Sequence, residues 1–226
     1  MPVAPIKEFS PTPRISLGQR RLALAALQDL CSKMLTCQEC GLSKGRTRVV
    51  PGEGPEDAEI MFIGEGPGLH EDRQGRPFVG PAGQFLQELL ALAGLRREQV
   101  YICNVVKCRP PNNRDPLPTE IAACKHWLDG QMRLIRPKII VTLGRYSMAR
   151  WFPGQSISKI HGRPFLREGV YVFPMFHPAA ALHQQSLRAT IEEDMRKLPA
   201  LLEEVRRSQA AAVVAEETHP KQLSMF

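Results

Sequence analysis

Short apolar runs alternate along this chain with longer stretches whose apolar positions recur every three or four residues. Between residues 20 and 35, Leu22, Leu24, Ala25, Leu27, Leu30 and Met34 predict a helix. Residues 59–64 (EIMFIG) are short and almost wholly apolar, the pattern of a strand buried on both faces. Residues 82–93 have an amphipathic helical period, residues 100–106 (VYICNVV) predict a second strand, and residues 119–135 a helix with Thr119 placed to cap it. Residues 138–143 (KIIVTL) and 170–173 supply a third and a fourth strand, and residues 186–207 a long closing helix. Short apolar strands alternating with helices predict an α/β fold. The expected form is a single three-layer α/β/α domain around a short, mainly parallel four-stranded sheet.

No internal repeat interrupts this order. Residues 1–19 are Pro-rich and polar and are expected to form a flexible arm; residues 20–207 carry the domain; residues 208–226 read as a flexible tail. In a parallel sheet, ligands bind where loops leave the carboxyl ends of the strands. Three polar loops sit there: GEGPG after the first strand, Asn104 closing the second strand ahead of KCRPP, and PMFHPAAAL after the fourth.

Composition narrows the class. The chain has 226 residues, 43% of them hydrophobic, enough for one substantial core. No apolar run approaches the ~18 residues that cross a bilayer. MPVAPIKEFSPTPR has no apolar stretch behind its charges, so it is not expected to be an export signal. Six cysteines are then expected to be reduced, catalytic or metal-bound. Net charge is +7, and residues 208–226 contribute −1 of it through Glu216, Glu217 and Lys221, leaving an excess that favours a polyanion. The expected location is cytoplasmic and nucleoid-associated, with no membrane partner.

Four cysteines form a pattern: Cys37 and Cys40 in TCQEC, then Cys108 and Cys124 flanking KCRPPNNRDP and a helix. A close pair, a long gap and two more thiols can converge on one tetrahedral centre, which leaves zinc and an iron–sulfur cluster both open. Cys31 and Cys103 stand outside the pattern, and Cys103 lies in an apolar strand as a small core residue.

Other residues carry candidate chemistry. Glu65 and Gly66 lie in GEGPG, where glycine lets a ligand approach the backbone. Glu71, Asp72 and Phe78 follow, and an aromatic ring there suits a stacked base. Asn104 offers an amide donor and acceptor that match a pyrimidine edge. His177, fixed before Pro178, shares the strand-end face with Asn104 and Glu65. Lys44, Arg46, Arg48, Arg109 and Arg114 surround the cysteine loops and suit phosphates as a group.

The segments GRTRVVPGEG, GEGPG…EDRQGRPFVGPAGQ, NVVKCRPPNNRDP and FPMFHPA, in this order and with the four cysteines, resemble the family 4, iron–sulfur type uracil-DNA glycosylases. The resemblance runs over residues 37–205. It implies a 4Fe–4S cluster on Cys37, Cys40, Cys108 and Cys124 that braces DNA-binding loops. It implies a monofunctional hydrolase of base excision repair that flips uracil out of DNA and cleaves the N-glycosidic bond. Phe78 would stack on the uracil, and Asn104 would bond its pairing edge. Glu71 would lie near C5 and crowd out a thymine methyl. His177 would donate to O2, and Glu65 with Gly66 would border the sugar and the attacking water. Leu182 is the expected wedge. Leu69 and His70 replace acidic residues that many relatives carry, and RPPNNRDPLP lacks the basic insertion of a group that cross-links to DNA, so ordinary turnover as a monomer is expected. The alternative is a non-catalytic nucleic-acid-binding module stabilised by a cluster or by zinc. Gln222, Leu223, Ser224, Met225 and Phe226 resemble the peptide that docks on bacterial sliding clamps, which implies a clamp partner for the tail.

Overall fold

The computed structural model describes residues 17–218. In chain order the elements are α1 (Leu17–Leu35), β1 (Ile60–Gly64), α2 (Leu69–Gln74), α3 (Pro81–Leu92), β2 (Tyr101–Asn104) and α4 (Pro118–Ile135). There follow β3 (Ile139–Leu143), α5 (Arg145–Met148), α6 (Ile157–Ile160), β4 (Phe165–Arg167), β5 (Val170–Met175), α7 (Pro178–His183) and α8 (Leu187–Thr218). The strands form one sheet in the order β2-β1-β3-β5-β4, parallel except for β4.

The two-residue alternation of a strand divides the core into two faces. Ile60 and Phe62 of β1 pack with Phe85, Leu86 and Leu89 of α3 and with Ile191, Met195 and Leu198 of α8. Met61 and Ile63 point the other way, towards Leu27 of α1 and Leu128 and Ile135 of α4. Helices therefore cover both faces, which makes the three layers. No helix among the described residues is long and apolar enough to cross a membrane.

The expected four strands become five. β4 pairs antiparallel with β5 at the sheet edge, and its three residues, two half-buried and one exposed, are too few to carry a readable period. The second strand ends at Asn104 rather than at residue 106. Thr119 does not cap α4; Leu117 holds that position, and its N–H donates to the Glu120 carboxylate at 2.8 Å. The last helix does not stop near Arg207 but continues to Thr218. Its extension, SQAAAVVAEET, is rich in strong helix formers that the tether reading passed over. Residues 1–16 of the expected arm, and residues 219–226 with the clamp-like motif, lie outside the described residues.

Candidate active site

Four parallel strands end level with one another: Gly64 is opposite Asn104, and Leu143 is opposite Met175. Their loops place Glu65, Asn104, Gly144 and His177 on one edge of the sheet. Asn104 is 1% exposed, and its Oδ1 is a buried acceptor with no hydrogen-bond partner among the described residues. Leaving such a group unsatisfied costs about 1–3 kcal/mol, so its retention marks a place where a ligand donor belongs. Gly64 makes that arrangement possible. A Cβ there would lie 2.6 Å from Phe78 Cζ and closer still to Asn104 Oδ1, so only glycine lets ring and amide meet across the strand end.

Phe78 adopts φ +50°, left-handed backbone that a bulky residue rarely takes. Its surroundings over-determine it. Arg97 donates to Phe78 O at 3.2 Å and to Pro77 O, while its Nε bonds Glu53 Oε1 at 2.6 Å. Glu71 accepts from the Val79 and Gly80 N–H groups at 2.8 Å each and from Gly68 N–H at 3.1 Å. Gly83 of α3 packs directly under the Phe78 carbonyl, where a Cβ has no room. Held this way, the Phe78 ring stacks on His177 with centroids 5.6 Å apart and planes 26° from parallel.

His177 precedes α7, and its Nδ1 accepts the Ala179 N–H at 3.1 Å. A ring nitrogen that accepts carries no proton, so the neutral imidazole bears its hydrogen on Nε2 as a donor. Burial lowers the ring pKa to about 4, against an opposing pull from the Glu71 charge. Glu65 accepts from Tyr146 N–H at 3.2 Å, and burial raises its carboxyl above the ordinary value, the Tyr146 bond opposing. Gly144, at φ +92°, separates these two groups; a Cβ there would lie 3.0 Å from Glu65 Cδ and 3.2 Å from His177 Cβ. Gly66 fits equally closely against Val106.

The structure thus brings together Glu65, Gly66, Phe78, Asn104 and His177, with Glu71 bracing the Phe78 turn from below. The arginine group does not act as one patch. Arg46 donates to Cys37 O at 2.7 Å and Arg114 forms a two-pronged pair with Glu120, so both serve the scaffold. Arg109 bonds Asn113 at 2.7 Å, and Lys44 and Arg48 are exposed. Leu182 is exposed on α7. Sequence reasoning missed Gly64 and Gly144, although a glycine at each of two neighbouring strand ends is a usable signal of close approach. It also missed Arg97 and Glu53, which have no local signature.

The uracil DNA glycosylase superfamily model matches residues 51–208, which span Glu65, Gly66, Glu71, Phe78, Asn104, His177 and the second cysteine pair. Matching relatives include the type-4 uracil-DNA glycosylase of Sulfurisphaera tokodaii, 48% identical over 183 residues, covering 76% of this chain and 83% of the relative. The chain belongs to the type-4 uracil-DNA glycosylases. The namesake enzyme of Archaeoglobus fulgidus is 45% identical over 184 residues, 77% of this chain and 92% of its own. That of Thermotoga maritima is 48% identical over 176 residues, 76% and 92% respectively.

In this type-4 uracil-DNA glycosylase chain the four patterned cysteines line one cavity with Met34, Leu42, Val49 and Trp127. None is in a disulfide. Three N–H groups point at sulfur: Arg46 at Cys108 (3.3 Å), the Lys107 backbone at Cys124 (3.3 Å) and Trp127 at Cys37 (3.4 Å). Such donors suit sulfurs that carry negative charge. Burial pushes the Cys124 thiol up to about 11, a cost that a bound metal's positive charge offsets. Among the described residues, no three His, Cys, Asp or Glu side chains are placed to hold a metal ion. The donor set, the shared cavity and the N–H···S bonds fit a thiolate-held metal group.

Proposed function

We propose that this chain extrudes uracil from DNA into the strand-end pocket and hydrolyses its N-glycosidic bond, leaving an abasic site. The glycosidic bond is out of reach within a duplex, so the nucleotide must leave the stack. The observation that carries the reading is the partnerless Oδ1 of Asn104 beside the Phe78–His177 stack. Uracil offers an N3–H donor to that oxygen and an O4 acceptor to the amide nitrogen. Phe78 covers the base face. His177 Nε2–H donates to O2 as negative charge develops on the departing base, and water adds at C1′. Preorganised donors of this kind act where charge appears in the transition state. Glu65 and Gly66 border the sugar, and Glu71, fixed at the pocket floor, crowds the C5 position against a methyl. The chain is a monofunctional hydrolase that works as a monomer on nucleoid DNA. Leu182 fills the gap left by the extruded nucleotide.

Cys37, Cys40, Cys108 and Cys124 would hold a 4Fe–4S cluster, which when bound ties the loop before β1 to the segment leaving β2. Gln222 to Phe226 would dock on a sliding clamp; a clamp titration with and without those five residues reads this, and equal binding would remove it. The test of the main reading is incubation of the full-length protein with a single-uracil oligonucleotide, followed by alkali. Cleavage at the uracil is expected, with none at thymine or cytosine. Intact strands from folded protein that binds the oligonucleotide would instead favour a binding module.

A further inference from the structure

Directly behind Asn104 lies a buried lysine that the mechanism above does not use. Lys107 is 2% exposed. Its Nζ donates to Asn104 O at 2.8 Å and to Gln131 Oε1 at 2.6 Å. Both acceptors are neutral. Gln131 is fully buried and in turn donates to Pro51 O and Tyr101 OH at 2.8 Å each, so its oxygen is held towards the lysine. Nothing in the packing of the core asks for this arrangement. An apolar side chain would fill the same space, and burying a cationic head costs several kcal/mol unless a counter-charge or strong acceptors meet it. The Cys103 thiol lies beside the ammonium as well, and the Cys31 and Cys124 sulfurs feel its charge; a buried cationic group next to a candidate site is itself a candidate for function.

The geometry points to Lys107 as a positioning residue for the uracil-reading amide and as a source of positive potential behind it. This inference rests on the uracil-hydrolase reading. Lys107 holds the carbonyl of the Asn104 peptide, the unit from which the base-reading amide projects. Its charge therefore sits within one hydrogen bond of that peptide. When the N1–C1′ bond breaks, its electron pair stays with uracil, and negative charge spreads over the ring towards O2 and O4. A fixed positive charge in a dry interior favours that state more than it favours the neutral bound base.

A residue that only supports the fold would slow all substrates alike. A residue that stabilises the departing anion matters most for a poor leaving group. The test compares single-uracil and single-5-fluorouracil oligonucleotides, whose bases differ in acidity, with full-length wild type, Lys107→Met and Gln131→Glu. The first variant deletes the charge. The second is close to isosteric, leaves Lys107 in place and puts a compensating carboxylate against it. Wild type is expected to release both bases. Lys107→Met should lose on the order of tenfold or more in kcat on uracil, with KM little changed, as a misaligned catalytic geometry does. It should lose markedly less on 5-fluorouracil, and Gln131→Glu should move the same ratio in the same direction. Equal losses on both bases, or wild-type kcat, in either variant that folds by circular dichroism would overturn the proposal; if Lys107→Met fails to fold, Gln131→Glu decides alone. No release by wild type would count against the hydrolase reading itself, which keeps the two failures apart.

Discussion

The cysteine cavity and the strand-end site are joined by the short segment from Asn104 to Cys108, and they treat their polar atoms in opposite ways. In the cavity, protein N–H groups already answer the sulfurs of Cys37, Cys108 and Cys124. At the strand ends, Asn104 Oδ1 has no partner among the described residues and His177 Nε2 presents a hydrogen. The first arrangement is built to hold something in place. The second keeps unfilled valences that the protein could have satisfied, which is what a site for a transient guest requires. Fold stability should therefore depend on the cavity and turnover on the pocket.

The largest effect expected from breaking this division is at His177. His177→Ala removes the proposed O2 donor and the partner of the Phe78 ring. Uracil release in single turnover should fall about 10²–10³-fold, while the melting temperature stays within a few degrees. Cys108→Ser should do the reverse. The thermal midpoint should fall steeply and any visible absorbance should be lost, whereas the protein that remains folded and bound keeps a measurable rate. A Cys108→Ser variant with wild-type stability and abolished chemistry would merge the two pockets and end the comparison. Gly64→Ala sharpens it further. The new methyl meets Asn104 Oδ1 and the Phe78 ring, neither of which is a free chain end, so kcat should drop roughly tenfold from misalignment alone. Arg97→Ala loosens the Phe78 turn and strands Glu53 with Arg76 alone. It should raise KM several-fold and cost about 1–2 kcal/mol in urea unfolding.

How far these features were legible in the sequence follows from how local they are. Strands β1, β2, β3 and β5 announce themselves as apolar runs, and their parallel order puts Glu65, Asn104 and His177 on one edge before any coordinates are known. β4 escaped because three edge residues carry no period, and α2 (LHEDRQ) because six mostly polar residues show no apolar face. The end of α8 was misplaced because an Ala- and Glu-rich segment reads as tether or as helix depending on what it is attached to. At the site, residue types could be read but partners could not. Glu71 was legible as an acid, but not as the acceptor for three backbone N–H groups around Phe78. Arg46 and Arg114 were legible as cations, but not as the partners of the Cys37 carbonyl and the Glu120 carboxylate that they are.

The smallest effect expected is in pH dependence. An unfolded histidine titrates near 6.5, and burial holds His177 at about 4. Between these values the unfolded chain binds more protons than the folded one, so stability should decline as pH falls from 6.5 towards 4. His177→Gln should flatten that slope, which urea unfolding at several pH values reads. Uracil release should hold from pH 7 to about 5 and then fall, because a proton on Nδ1 breaks the bond from Ala179 N–H.

The most direct test is at Asn104. Asn104→Ala removes a buried acceptor that has no partner among the described residues, so little stability should be lost beyond the small cavity. The decisive measurement is the single-turnover rate of uracil release at saturating protein, with oligonucleotide affinity determined on the same samples. The account predicts binding within a few-fold of wild type and release slowed about 10²–10³-fold. Release at the wild-type rate, or a loss no greater than the loss of binding, would contradict it.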